Sequence, residues 1–173
     1  MKFEDLFLYD GMMHVFAFNY DLGPKTLTFN LQLSDHPRKR NASFRERLEA
    51  NGIPPQSEMV NVKLRFEEII YLEVIDESYA DGVVITPHDQ FEGHQIIRYM
   101  KSGYLEQLQE TRFQLWEYIK PDVVTFCHYR IYGLDTVLEI ITMSEPIVEV
   151  AIGLKCIRRG SPTIYFGGKH YYE

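Results

Sequence analysis

The stretch KTLTFNLQL, residues 25–33, decides the fold, because its apolar and polar residues alternate without a break. Successive side chains of a strand point to opposite faces, so this pattern predicts a half-buried antiparallel strand. In residues 12–20 (MMHVFAFNY), a face with His14, Phe16, Phe18 and Tyr20 alternates with a face of smaller residues, which also predicts a strand. The Gly-Pro pair within residues 21–25 (DLGPK) predicts a turn. The two strands are therefore expected to form a hairpin. Its apolar face carries Leu27, Phe29, Leu31 and Leu33.

Most of the remaining chain also has the character of strands. Period-two or β-rich stretches occur at residues 59–66, 69–75, 83–85, 122–132, 136–143, 146–157 and near the C-terminus. These strands do not alternate regularly with helices, which argues against a parallel sheet. We predict an α+β fold, with a mainly antiparallel sheet of about eight strands and one long and one short helix.

Two helices are predicted. The short one begins near Ser43, which has a glutamate three residues later, and buries Phe44 and Leu48. The long one covers residues 104–120, where apolar residues recur at spacings of three and four, and its start could reach back to Ile96.

Composition predicts the class of protein. A chain of 173 residues with 45% hydrophobic and 25% charged residues is typical of a single globular domain, residues 1–173. No apolar run approaches the roughly 20 residues that span a bilayer. Glu4 and Asp5 stand where a signal peptide would carry positive charge. We therefore expect a cytoplasmic protein without a membrane partner.

The two cysteines, Cys127 and Cys156, lie in apolar stretches and lack the spacing of a zinc site. We predict two buried reduced thiols, although sequence alone leaves a disulfide open, since pairing depends on distance in space. Cys127 and His128 are neighbours in a predicted strand, so they point to opposite faces and form no dyad. No GxSxG-like stretch is present, and we predict no catalytic residues.

The net charge of −7 argues against a nucleic-acid partner. One local basic cluster is interpreted as a solvated surface; it consists of Arg38, Lys39, Arg40, Arg45 and Arg47.

Residues 83–97, VVITPHDQFEGHQII, contain side chains of the types that bind metals. His88, Asp89 and His94 are the candidates, and they would support a small metal-assisted hydrolase. The two histidines are six residues apart with a glycine between them, unlike the i,i+4 spacing of a metal-binding helix. We therefore favour a polar loop and predict no bound metal or other cofactor.

The distribution of charge is more informative. Between Phe66 and Ile97 there is no lysine or arginine, whereas the same stretch holds eight acidic residues. One interpretation is a solvated rim of the sheet. The other is an acidic docking face for a basic protein partner, which would speed encounter and set specificity. The expected partner-binding residues are Asp76, Glu77, Asp81, Asp89 and Glu92.

The N-terminal part, residues 1–75, resembles small bacterial immunity-type proteins of polymorphic toxin systems. Two stretches carry the resemblance, residues 6–33 (LFLYDGMMHVFAFNYDLGPKTLTFNLQL) and residues 60–76 (VNVKLRFEEIIYLEVID). The matching positions are Asp10, Leu27, Phe29, Leu31, Val62, Leu64 and Phe66. The resemblance implies a non-enzymatic inhibitor that blocks a cognate toxin domain. A protein–protein interaction subunit is a further alternative, and the sequence leaves the oligomeric state open.

Overall fold

The described part of the chain forms two five-stranded sheets that share one core. The structure is a computed structural model, and it describes residues 1–34, 42–52, 59–82, 85–111, 126–151 and 165–166. The predicted α+β class with mainly antiparallel strands is confirmed. The strands are divided between two sheets, however, where a single sheet was expected. In chain order they are β1 (Met12–Asp21), β2 (Thr26–Ser34), β3 (Met59–Phe66), β4 (Ile69–Asp76), β5 (Gln90–Glu92), β6 (Ile96–Lys101), β7 (Cys127–Tyr132), β8 (Thr136–Thr142), β9 (Ile147–Ala151) and β10 (Tyr165–Phe166).

The first sheet has the order β10-β1-β2-β3-β9 and is antiparallel except for the β1–β10 pair. The predicted hairpin is present as β1 and β2, with Met13 opposite Leu33 and Tyr20 opposite Leu27. The apolar side chains of β2 are 2% exposed or less, as the alternation predicts. They face inward together with the apolar residues of β3.

The second sheet has the order β4-β8-β7-β6-β5 and is antiparallel throughout. The chain passes from the first sheet to the second through two residues after Phe66, where Glu68 has a φ of 51°. One face of the second sheet packs on the first sheet, and the rings of Phe66 and Tyr129 meet there with centroids 5.6 Å apart. The other face of the second sheet carries the polar residues described below.

Two α-helices are described, α1 (Ala42–Ala50) and α2 (Gly103–Thr111), with 3₁₀ helices at Phe3–Leu8 and Glu77–Gly82. Phe44 and Leu48 of α1 are buried, as predicted, and the ring of Phe44 meets Tyr9 edge-on with centroids 5.2 Å apart.

Several predicted elements differ from the structure. The long helix begins at Gly103, next to the predicted start at residue 104, and does not reach back to Ile96, because Ile96–Lys101 is strand β6. Ile85 is exposed and lies outside the strands, while residues 83–84 lie outside the described part of the chain. The same is true of residues 112–120 of the predicted long helix and of Cys156. In the described part of the chain, no helix is long and apolar enough to span a bilayer.

Candidate functional site

The stretch without lysine or arginine begins with an edge strand. β4 pairs with β8 on one side, and no described strand pairs with its other side. Carboxylates stand at both ends of β4. Glu68 directly precedes it, Asp76 is its last residue, and Glu77 begins the following 3₁₀ helix. We call Glu68, Asp76 and Glu77 the β4 carboxylates.

The β4 carboxylates are exposed. The ion pairs found among the described residues involve other carboxyl groups. Asp76 accepts hydrogen bonds from the Ser78 hydroxyl and from the Ser78 backbone N–H, the latter at 3.0 Å. These two hydrogen bonds, the hydroxyl's foremost, lower the pKa of Asp76 below its ordinary value. Its negative charge is therefore fully present at neutral pH.

The other predicted partner-binding residues are placed differently. Asp81 belongs to the 3₁₀ helix Glu77–Gly82, but its side chain lies outside the described part of the structure. Asp89 accepts two backbone hydrogen bonds, from Thr86 at 2.6 Å and from Gly103 at 2.7 Å. Gly103 is the first residue of α2, so Asp89 satisfies an N–H group that the helix itself leaves free.

The environment of Asp89 stabilises its charged form. Burial raises the pKa of Asp89, but the hydrogen bonds from Gly103 and Thr86 outweigh burial, and the pKa lies below its ordinary value of 3.8. The positive charge of Arg130 acts in the same direction. The charged Asp89 side chain therefore stabilises the first residue of α2 by accepting the Gly103 N–H.

Glu92 is also engaged within the chain. Its Oε1 lies 2.5 Å from Nη2 of Arg98, directly across the β5–β6 pair. Arg98 further contacts Glu145 at 3.4 Å and packs its guanidinium over the Phe7 ring, 5.5 Å from the centroid. Arg98 also lies 4.0 Å from Glu4, so Glu92 is engaged in a cluster of ion pairs within the chain, at the opposite edge of the sheet from β4.

The candidate metal ligands do not converge. His88 and His94 are exposed, and Asp89 between them uses both carboxylate oxygens for backbone N–H groups. Among the residues that the structure describes, no group of three histidine, cysteine or carboxylate side chains is arranged to hold a metal ion. The loop predicted for this stretch also contains a short strand, β5, which pairs with β6.

A buried polar network lies on the face of the second sheet that carries α2. Nδ1 of His128 is 2.7 Å from the Ser102 hydroxyl, and its Nε2 is 2.7 Å from Oε2 of Glu139. The second oxygen of Glu139 accepts a hydrogen bond from Nε of Arg130. His128 and Arg130 of β7 and Glu139 of β8 are each 2% exposed or less. The sheet thus buries a charged pair together with an imidazole.

The chain of Ser102, His128 and Glu139 has the residue types of a nucleophile, a base and an orienting acid. Two contacts give it a structural role instead. The Ser102 hydroxyl accepts the backbone N–H of Leu105 at 3.0 Å, which makes Ser102 the N-cap of α2. Glu139 is neutralised by Arg130, and Ser102 is only 6% exposed. The network attaches the start of α2 to the sheet.

Aromatic rings enclose this network. Tyr99 stacks on His128 with centroids 4.3 Å apart and an interplanar angle of 10°. Towards β4, the hydroxyls of Tyr104 and Tyr71 lie 2.7 and 3.0 Å from Oε2 of Glu73. Burial, followed by the hydrogen bond to Glu73, raises the pKa of Tyr104, so this hydroxyl stays protonated and can donate. Glu73 is therefore directed towards α2 and is engaged there, unlike the β4 carboxylates.

Sequence reasoning missed this network, although a signal was present. His128, Arg130 and Tyr132 alternate along β7, and Glu139 interrupts the apolar run of β8. A second polar face could have been inferred from that spacing. Cys127 points to the opposite face, into the core, so the expectation that it forms no dyad with His128 is confirmed.

Compared with protein-family models, with curated proteins and with solved structures, the chain has no match in any of the three.

Proposed function

We propose that this chain is a non-enzymatic binding protein that docks on a basic protein partner through the β4 carboxylates. One observation carries the proposal. Glu68, Asp76 and Glu77 are exposed, they stand at both ends of an edge strand, and no described cation pairs with them. Uncompensated charges of one sign on a protein surface steer an oppositely charged partner towards it.

The charge of the rest of the chain adds to the negative electrostatic potential of the β4 carboxylates. The chain has a net charge of −7, and no lysine or arginine occurs from Phe66 to Ile97. The proposed surface is smaller than the sequence indicated, because Asp89 caps α2 and Glu92 is paired with Arg98. Asp81 remains a predicted member, since it follows Glu77 in the same 3₁₀ helix.

The proposed class is an immunity-type inhibitor that acts in the bacterial cytoplasm and blocks a basic toxin domain. This class rests on the resemblance of residues 1–75, and the acidic surface around β4 is compatible with it. A metal-assisted hydrolase has less support, because Asp89 is occupied by backbone N–H groups and both neighbouring histidines are exposed.

Affinity capture with matched variants tests the proposal. The test variant is Glu68→Gln, Asp76→Asn, Glu77→Gln. The control variant, Glu49→Gln, Glu106→Gln, Glu110→Gln, removes the same number of exposed charges from α1 and α2. We expect the wild type and the control to retain a common basic protein at low salt and the test variant to lose it. Equal recovery by all three proteins would exclude the β4 carboxylates as the docking site.

A further inference from the structure

The hydrogen-bond pattern between β4 and β8 fixes the direction of the backbone groups on β4. The N–H of Glu77 donates to the C=O of Asp135 at 3.3 Å. Residues of an antiparallel strand alternate between groups that point to the partner and groups that point away from it. With Asp76 opposite Thr136 and Val74 opposite Leu138, the N–H groups of Glu73 and Ile75 point to β8. Those of Leu72 and Val74 point to the free edge.

No described strand pairs with this edge. No described backbone group bonds to the N–H of Leu72 or Val74, and the Val74 side chain is 45% exposed. Proteins commonly protect an edge strand with proline, charged side chains (lysine above all), β-bulges or a very short length. The two acidic residues of β4 are Glu73, which binds Tyr71 and Tyr104, and Asp76 at its end. β4 has eight residues and contains neither proline nor lysine. The one shift in its register with β8, between Ile69 and Tyr71, precedes the outward-facing N–H groups of Leu72 and Val74.

We propose that the outer edge of β4 binds an extended basic segment of the partner as an added strand. This inference rests on the proposed function, whose docking surface it narrows to the backbone of Leu72 and Val74. Strand addition obtains affinity from main-chain hydrogen bonds and specificity from side chains at alternate positions. Lysine or arginine residues flanking the added strand would lie near the β4 carboxylates at its two ends.

Charge selects a basic partner over a second copy of the chain. If two β4 edges paired with each other in antiparallel fashion, Glu68 of one copy would approach Asp76 and Glu77 of the other. Like charges that face each other across a strand pair destabilise it. The positive side chains of a basic segment would instead attract the same carboxylates, so a basic segment should bind this edge more tightly than a second copy would.

The probe for this site is a blocked octapeptide of alternating valine and lysine, and the readout is amide hydrogen exchange in the full chain. In the free protein, the amides of Leu72 and Val74 should exchange faster than those of Glu73 and Ile75, which bond to β8. The peptide should slow exchange at Leu72 and Val74 specifically. A peptide of alternating valine and glutamate should have no effect.

Two variants at one position separate strand addition from simple charge attraction. Val74→Pro removes the outward N–H and leaves the bonds to β8 in place, so it should weaken peptide binding about tenfold or more. Val74→Thr keeps the N–H and should bind like the wild type. If the peptide binds both variants equally and does not slow exchange of the Leu72 and Val74 amides of the wild type, strand addition is wrong while acidic docking survives. If the peptide does not bind the wild type even at low salt, strand addition is wrong, and affinity capture with the charge variants decides separately on acidic docking.

Discussion

Arg130 and Glu139 lie directly opposite each other on β7 and β8, and their side chains form an ion pair that is almost fully buried. Gly133 N–H donates to the C=O of Thr136 at 2.7 Å. This bond determines which residue pairs of the β7–β8 hairpin are hydrogen-bonded and which are not. Arg130 and Glu139 consequently form a non-hydrogen-bonded pair, the type in which opposite side chains approach most closely. The second oxygen of Glu139 lies 2.7 Å from Nε2 of His128, so one carboxylate binds two neighbouring side chains of β7.

Replacing Glu139 tests this buried pair. Glu139→Ala leaves Arg130 buried without a counter-charge and should lower the free energy of unfolding by about 3–5 kcal/mol. Glu149→Ala removes the partner of Lys63 from a pair at 3.0 Å that is about half exposed, and it should cost less than about 1 kcal/mol. Urea denaturation measures both values. Similar losses in the two variants would show that Arg130 is not isolated from solvent.

Ser102 provides a test of the structural role of the polar network. Ser102→Ala removes the N-cap of α2 and the partner of His128, so it should cost about 1–2 kcal/mol of stability. Ser43 is not the N-cap of α1, which begins at Ala42, and its side chain is exposed, so Ser43→Ala should cost less than about 0.5 kcal/mol. The wild type should also form no adduct at Ser102 with a fluorophosphonate, as measured by mass spectrometry. Stoichiometric labelling of Ser102 would identify it as a nucleophile and overturn the structural role.

The pKa of Asp89 predicts how stability depends on pH. Its folded-state pKa lies below the ordinary value of 3.8, so the unfolded chain takes up a proton first as pH falls. The stabilisation that Asp89 provides is therefore complete above that value and is lost as pH falls through the lower, folded-state pKa. The stability difference between wild type and Asp89→Asn should be constant near neutral pH and should shrink under acid. A difference between the two proteins that stays constant into the acid range would contradict this role of Asp89.

The antiparallel core follows from local patterns in the sequence. The alternation through Leu27 and Phe29, together with the Gly-Pro turn, predicts the β1–β2 hairpin correctly, because β2 has one fully buried face. In β1, by contrast, Met13 is the one buried residue. The division into two sheets could not be predicted. It depends on the two residues between Phe66 and Ile69, where Glu68 takes a backbone conformation that non-glycine residues seldom adopt.

The roles of the acidic residues were harder to predict, because identical side chains serve different purposes. Asp76 and Asp89 are both aspartates near a turn, yet Asp76 is exposed and Asp89 bonds to the first residue of α2. That distinction requires knowing that β6 brings Gly103 back beside residue 89. The edge position of β4 is likewise a property of the sheet order and has no local signal.

The kinetics of association test the central claim most directly. For the partner recovered by affinity capture, association with the variant Glu68→Gln, Asp76→Asn, Glu77→Gln should be about tenfold slower than with wild type at low salt, with dissociation little changed. The difference should vanish as salt rises towards about 0.5 M, because exposed charges are then screened. The matched variant at Glu49, Glu106 and Glu110 should associate at nearly the wild-type rate. Stopped-flow measurement of all three proteins across this range of salt decides the question. If the test variant associates as fast as wild type at every ionic strength, the β4 carboxylates do not guide a partner and the account is wrong.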